Sequence, residues 1–170
     1  MKRSRFKVAI VDDEKDARGM VQLMLKEYFP ELDVVCDTGN FREALLEISR
    51  HKPHLLFLDV EMPGMDGLSF LERIMRLRPM PVVMCSSLTA AGAEVTIEAL
   101  RLGAVDCIAK PVGGPAELAA SAALLCRTVK NAARSSARPR VTTTPPMASG
   151  ESRNTRFHDM VIAIGASTGG

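Results

Sequence analysis

Four short apolar runs of this chain each end in polar residues, and this pattern most constrains the fold. Residues 8–11 precede Asp12 and Asp13, residues 55–58 precede Asp59, residues 82–85 precede Ser86, and residues 107–109 precede Lys110. Short apolar runs that alternate with helical patterns are typical of parallel strands buried on both faces. In open sheets of such strands, ligands bind at the carboxyl ends. The sequence therefore predicts one pocket with three carboxylates, a hydroxyl and an ammonium, which suits a magnesium ion and a transferable phosphoryl group.

Five strand–helix units can be read along the chain, which predicts an α/β fold. The second strand, near residues 34–36, has the weakest pattern. Helices are expected near residues 41–50, from Gly67, and over residues 93–102, with Gly103 as a C-terminal stop. Two helices are expected to bury one apolar face each, the first with Ala17, Val21, Met24 and Tyr28, the last with Leu118, Ala122, Leu125 and Val129.

The charge distribution separates a domain from a tail. Residues 1–126 carry 15 basic and 18 acidic side chains, a net charge of −3, whereas residues 127–170 carry seven basic and two acidic, a net charge of +5. Residues 131–159 are rich in Arg, Ser, Thr, Pro and Gly and lack apolar periodicity, which predicts a linker. Residues 160–164 then resume an apolar run, which predicts the first strand of a second α/β domain.

The compartment is predicted from the cysteines and from hydropathy. The four cysteines show no paired spacing of metal ligands, and three of them fall on predicted strands, so buried free thiols are the best interpretation. Free thiols fit a reducing cytoplasm. No apolar stretch has the length of a membrane span, and no signal peptide follows the basic N-terminus. We therefore expect a soluble cytoplasmic protein without membrane insertion.

These motifs resemble those of a known family. They are Val11-Asp12-Asp13, Asp59 followed by Met62-Pro63-Gly64-Met65-Asp66-Gly67, then Ser86, and Lys110-Pro111. They resemble the receiver domain of two-component systems. The stretch of residues 84–89 (MCSSLT) and the ending of residues 162–170 (IAIGASTGG) narrow the resemblance to the chemotaxis response-regulator protein-glutamate methylesterase (CheB) family. The resemblance implies a flavodoxin-like, doubly wound, five-stranded parallel sheet of order 2-1-3-4-5.

The resemblance also implies a domain division and site roles. It implies a receiver at residues 1–130, a linker at 131–159 and a truncated methylesterase catalytic domain at 160–170. Asp59 would accept the phosphoryl group, and Lys110 and Ser86 would contact its oxygens. Mg²⁺ would be held by Asp13, Asp59, the Glu61 backbone carbonyl and, largely through water, Asp12. Many receivers carry an aromatic residue three positions before this lysine; the chain has Cys107 there.

Each site residue also has a purely structural interpretation. Asp12 or Asp13 could cap a helix, Asp59 could be a turn residue, Ser86 could be a helix cap, and Lys110 could be solvated. Each alternative is plausible for one residue. Five of them meeting at the same edge of one sheet is improbable, so the functional interpretation is favoured.

Ser167 lies in a Gly165-Ala166-Ser167-Thr168-Gly169 turn directly after a predicted strand. The G-x-S-x-G pattern is typical of an exposed serine nucleophile. By resemblance, Ser167 would attack methyl esters of glutamyl side chains on chemoreceptors. A serine nucleophile needs a histidine base, but no histidine follows it, and His158 is nine residues upstream, about 30 Å along an extended strand. We therefore expect this 170-residue piece to lack esterase activity.

Three hypotheses follow for the whole protein. In the first, a histidine kinase phosphorylates the receiver, and the receiver then uncovers its own C-terminal catalytic domain, which demethylates or deamidates chemoreceptors. In the second, the chain is a stand-alone receiver that binds a partner. In the third, it is a DNA-binding regulator; the basic tail supports this slightly. The tail shows no helix-turn-helix pattern and few aromatic residues, so no nucleic-acid partner is expected.

Overall fold

The computed structural model describes residues 6–87, 92–110 and 115–134. Five strands alternate with five helices: β1 (Phe6–Val11), α1 (Lys15–Tyr28), β2 (Leu32–Thr38), α2 (Phe41–His51), β3 (Leu55–Asp59), α3 (Gly67–Leu77), β4 (Val82–Ser86), α4 (Gly92–Leu102), β5 (Asp106–Ala109) and α5 (Pro115–Arg134). Residues 131–134 of the predicted linker belong to α5, and Ala132 is buried in the core. The rest of the predicted linker and the predicted esterase strand lie outside the described residues.

The five strands form one parallel sheet in the order β2-β1-β3-β4-β5, as the resemblance implied. Val11 pairs with Leu58, and Asp59 pairs with Cys85, so the carboxyl ends of β1, β3 and β4 lie at one edge. The direction in which the chain adds strands to the sheet reverses between β1 and β3, because β2 lies beside β1 on one side and β4 lies beside β3 on the other. Such a reversal is where open α/β sheets bind ligands, so the fold places the candidate site at this edge.

The core has two apolar layers, one on each face of the sheet. Helices α2, α3 and α4 cover one face, and helices α1 and α5 cover the other. The residues of β3 from Leu55 to Leu58 are at most 1% exposed, because the strand lies in the middle of the sheet between both layers. Burying each such side chain contributes about 1.5–3 kcal/mol relative to leaving it exposed. The strand that carries Asp59 is therefore packed on both faces.

Most of the predicted elements are confirmed. Strand β2 is longer than its weak pattern indicated, and Gly103 ends α4 with a φ of 110°. Ala122, Leu125 and Val129 of α5 are buried, whereas the side chain of Leu118 falls outside the described residues. Each of the four cysteines is a free thiol. No helix in the described ranges is both long enough and apolar enough to cross a membrane.

The prediction for Tyr28 is wrong. Tyr28 is 46% exposed, and the buried face of α1 is formed by Val21, Met24 and Leu25. Tyr28 is the last residue of the helix, and the following Phe29 turns into the core instead. Tyr28 is helical, but at the end of the helix Phe29 takes the buried position, which periodicity alone does not predict.

Gly67, the first residue of α3, lies against the end of β3. A Cβ atom at this position would be 2.3 Å from the Asp59 carbonyl oxygen and 2.8 Å from that of Val60. The Gly67 backbone nitrogen also donates a hydrogen bond to the Val60 oxygen at 3.1 Å. Both neighbours are backbone atoms that cannot move aside cheaply, so any side chain here displaces the segment that follows Asp59.

We predict that Gly67→Ala lowers the free energy of unfolding by about 1–3 kcal/mol, through overpacking against the backbone. Gly19→Ala is the matched control. Gly19 lies within α1, and a Cβ there meets no atom within 4 Å. That substitution should raise stability by up to about 1 kcal/mol through better helix propensity. Urea unfolding of both variants checks this. Equal effects of the two substitutions would contradict the close approach seen at Gly67.

Candidate functional site

Three carboxylates meet where β1 and β3 end. One oxygen from each of Asp12, Asp13 and Asp59 lies within 4.8 Å of the others. Asp12 and Asp59 are buried, and Asp13 is exposed. Their convergence follows from the parallel pairing of β1 and β3, which brings both strand ends to the same level. The sequence prediction of a carboxylate cluster at this edge is confirmed.

The ammonium of Lys110 lies among these carboxylates. Lys110 follows β5 and is 7% exposed. Its Nζ donates a hydrogen bond to Asp12 Oδ1 at 3.2 Å, and it lies 3.1 Å from Asp12 Oδ2 and 3.2 Å from Asp59 Oδ2. It also lies 3.2 Å from Glu14 Oε1. The Lys110 side chain therefore reaches from the end of β5 to the end of β1 and is not solvated.

The surroundings of the Asp59 carboxyl group raise its pKa and fix one of its two oxygens. Its pKa is raised to about 6: burial and the negative charge of Asp12 raise it, and they outweigh a backbone hydrogen bond from Glu61 and the charge of Lys110, which lower it. Oδ1 accepts the Glu61 N–H at 3.2 Å. Oδ2 is buried and has no hydrogen-bond partner of suitable geometry within the described ranges. One oxygen is therefore anchored by the backbone, while the other faces the Lys110 ammonium.

The pKa of Lys110 is the result of opposed effects. Burial lowers the pKa of the ammonium, but the hydrogen bond and charge of Asp12, together with the charge of Asp59, outweigh burial and raise it above its ordinary value. Lys110 is therefore a fixed positive charge at physiological pH. A cation that stays protonated among several carboxylates can bind a further anionic group.

One of the structural interpretations holds alongside the functional one, because Asp59 is also a turn residue through its hydrogen bond from Glu61. Asp12 Oδ1 accepts the Glu14 N–H at 2.8 Å, so Asp12 closes a local turn, as Asp59 does through Glu61. Neither of them caps a helix, because the residue at the N-cap of α1 is Glu14. The same carboxylates therefore shape their own loops and line the shared pocket.

The other residues singled out in the sequence lie on or just after β3, β4 and β5, or outside the described ranges. Glu61 is exposed and follows β3 by two positions. Ser86 is the half-buried last residue of β4, and its carbonyl accepts the Lys110 N–H at 2.9 Å, which joins the ends of β4 and β5. Cys107 is half-buried on β5. Ser167 lies outside the described residues, so its predicted role is not tested by this geometry.

Two residues at the site escaped the sequence analysis. Glu14 pairs with Lys110, and Arg18 Nη1 donates a hydrogen bond to the Asp12 carbonyl oxygen at 2.6 Å. Arg18 Nε also lies 2.5 Å from Asp37 Oδ1 of β2. Glu14 could have been suspected because it directly follows two site residues. Arg18 gave no signal, because an arginine on a helix is usually solvated.

A comparison with protein families identifies the family of this domain. The model described as response regulator receiver domain matches residues 8–123. The chain belongs to the response regulator receiver family. The matched range starts in β1 and ends within α5, and it contains each of the predicted receiver site residues.

The relatives extend beyond the receiver. A protein-glutamate methylesterase/protein-glutamine glutaminase of Caulobacter vibrioides is 42% identical over 167 residues, which is 98% of this chain and 48% of the relative. One from Agrobacterium fabrum is 45% identical over 171 residues, which is 96% of this chain and 47% of the relative. The chain therefore spans about half the length of these methylesterases.

A solved structure agrees with these relatives. The response regulator domain of Thermotoga maritima CheB aligns with a TM-score of 0.64 at 34% identity, covering 78% of this chain and 99% of that one. The alignment supports the receiver fold and the resemblance to CheB methylesterases.

The raised pKa of Asp59 predicts how stability depends on pH. A carboxyl group with a folded-state pKa above its ordinary value stabilises the fold while protonated, and this contribution is lost as the pH rises through the folded-state pKa. In metal-free buffer, the stability of the parent chain relative to Asp59→Asn should therefore fall between about pH 4 and the Asp59 pKa of about 6. Above that range the asparagine variant should be more stable by about 1–3 kcal/mol.

Urea unfolding at several pH values checks this difference. Asp66→Asn is the control, because Asp66 is the exposed N-cap of α3 and asparagine also caps helices well. It should keep the pH dependence of the parent chain. Parallel curves for the parent chain and Asp59→Asn would show that burial does not perturb Asp59.

Proposed function

We propose that the chain is a phosphorylation switch in which Asp59 accepts a phosphoryl group from a histidine kinase. One observation carries this proposal. Asp59 is a buried carboxylate whose Oδ1 is anchored by the backbone, and it lies beside two further carboxylates. Its Oδ2 has no hydrogen-bond partner of suitable geometry among the described residues and lies 3.2 Å from the Lys110 ammonium. A structural aspartate at a strand end would not need two acidic neighbours and a buried lysine, because their charges are costly to bury.

The proposed reaction is a single phosphoryl transfer. An oxygen of Asp59 forms a bond to phosphorus while the bond from phosphorus to the kinase's histidine nitrogen breaks, and that nitrogen keeps the electron pair. The product is an aspartyl phosphate and a neutral histidine. Lys110 would compensate the negative charge of the phosphoryl oxygens, and the Ser86 hydroxyl, at the end of the next strand, would donate a hydrogen bond to one of them.

The acidic cluster fits a magnesium ion. Mg²⁺ forms bonds of about 2.1 Å to oxygen ligands, so opposite ligands are about 4 Å apart. One oxygen from each of the three carboxylates lies within 4.8 Å of the others, which is close to this spacing. Asp13, Asp59 and the Glu61 carbonyl would bind it directly, and Asp12 largely through water. When bound, the ion would neutralise charge on the phosphoryl oxygens. The exposure of Asp13 leaves room for the several waters that Mg²⁺ keeps.

The output of the switch is proposed from the relatives. Their names describe protein-glutamate methylesterases, and the alignments include almost all of this chain. We assign residues 1–134, which include all of α5, to a receiver, residues 135–159 to a linker, and residues 160–170 to the start of a catalytic domain with Ser167 as nucleophile. Phosphorylation would relieve the block that the receiver places on that domain. Its substrates would be methylated glutamates of chemoreceptors, in the cytoplasm, where the free thiols of the chain are stable.

We predict that Asp59→Asn abolishes labelling of the chain by radioactive acetyl phosphate, because the amide cannot form the acyl phosphate. Chelation of Mg²⁺ with EDTA should also stop labelling of the parent chain. Asp66→Asn makes the same substitution at an exposed helix cap and should label like the parent. Full labelling of the Asp59→Asn variant would refute Asp59 as the acceptor.

The proposal for Ser167 is tested on the protein in its own cells. We expect an intact mass that exceeds the 18.4 kDa of this chain by a further domain. That protein should release methanol from methylated chemoreceptors, and Ser167→Ala should abolish the release while Asp59 still accepts phosphate. A native mass of 18.4 kDa would reject the esterase and leave a stand-alone switch.

A further inference from the structure

Glu14 is the exposed member of the carboxylates that contact Lys110. Within the described ranges, the acidic side chains within 4.0 Å of the Lys110 ammonium are Asp12, Asp59 and Glu14. The first two are almost fully buried, whereas the Glu14 side chain is 62% exposed. Glu14 therefore lies on the solvent side of the ammonium, where a phosphoryl donor would arrive.

The fold does not require this carboxylate. Glu14 is the N-cap residue of α1, yet its side chain forms no capping hydrogen bond. Its backbone N–H bonds Asp12 Oδ1, which a residue of almost any type could do. The contact of the side chain with Lys110 bridges positions 96 residues apart in the chain. The carboxylate therefore contacts the ammonium and forms no capping hydrogen bond at the start of the helix.

We propose that Glu14 restrains phosphorylation of Asp59 by competing with the incoming phosphoryl group for Lys110. This inference rests on the proposed function, because it concerns the same acceptor and the same lysine. Before transfer, Glu14 occupies the side of the ammonium that faces solvent and adds a negative charge there. Both effects oppose an anionic donor.

After transfer, Lys110 exchanges Glu14 for a phosphoryl oxygen. An exposed ion pair contributes little stability, because water screens it and the long side chains lose freedom in forming it. The pair of Lys110 with Asp12, which is buried on both sides, is much harder to break. Glu14 is thus the partner that Lys110 can release most easily, and the buried part of the site stays intact.

The experiment compares Glu14→Gln with Asp16→Asn. Both variants remove one negative charge from the start of α1, but Asp16 is an exposed first-turn residue outside the contacts of Lys110. Glu14→Gln should label Asp59 about 3- to 10-fold faster than the parent chain with acetyl phosphate. Asp16→Asn should stay within about 2-fold of the parent. The gain should be smaller with phosphoramidate, which carries less negative charge. Unchanged thermal unfolding would show that both variants fold.

A second measurement is independent of covalent transfer. Beryllofluoride, an anionic mimic of the phosphoryl group, should bind Glu14→Gln more tightly than Asp16→Asn in the presence of Mg²⁺. Equal rates and equal binding for the two variants would overturn the proposal, and slower labelling of Glu14→Gln would show that Glu14 assists transfer. If Asp59→Asn labelled normally, the proposed function would fail, and beryllofluoride binding would still decide the role of Glu14.

Discussion

The interaction of the Lys110 ammonium with the carboxylates around it is the constraint on which the site depends. Asp12 and Asp59 are both buried, and two buried carboxylates at this distance would repel each other strongly without a cation. One ammonium does not balance them fully, since Asp13 and Glu14 add further negative charge. Burial raises the pKa of Asp59, and the charge of the neighbouring Asp12 raises it as well. A site with surplus negative charge and oxygen ligands is suited to a divalent cation.

The apolar sheet keeps these charges together. Asp59 ends a strand whose other side chains are buried on both faces, so it cannot move away from Asp12 without disturbing the core. Backbone hydrogen bonds join neighbouring strand ends: the Asp12 N–H donates to Thr38, that of Val60 to Cys85, and that of Lys110 to Ser86. Hydrophobic burial therefore supplies the free energy that holds an electrostatically unfavourable cluster in place.

The sequence predicted the carboxylate cluster and the lysine because each follows an apolar run, and parallel strands bring such positions to one edge. The strand order needed the family resemblance, since alternating strands and helices allow several orders. The error at Tyr28 has a different origin: periodicity describes a helix face, whereas the end of the helix depends on where Phe29 finds space in the core. The position of Glu14 directly after Asp12 and Asp13 was a local signal, but its contact with Lys110, 96 residues away, leaves no pattern in the sequence.

Asp12 contacts two cations that are suited to different tasks. Arg18 hydrogen bonds its backbone carbonyl while also pairing with Asp37, so the planar guanidinium ties the loop after β1 to β2 in one fixed geometry. Lys110 instead approaches the carboxylate with a compact ammonium whose three donors can turn toward different acceptors. An arginine at position 110 would favour a single bidentate partner. The site thus combines an arginine that fixes the backbone with a lysine that can change partners, as phosphoryl binding would require.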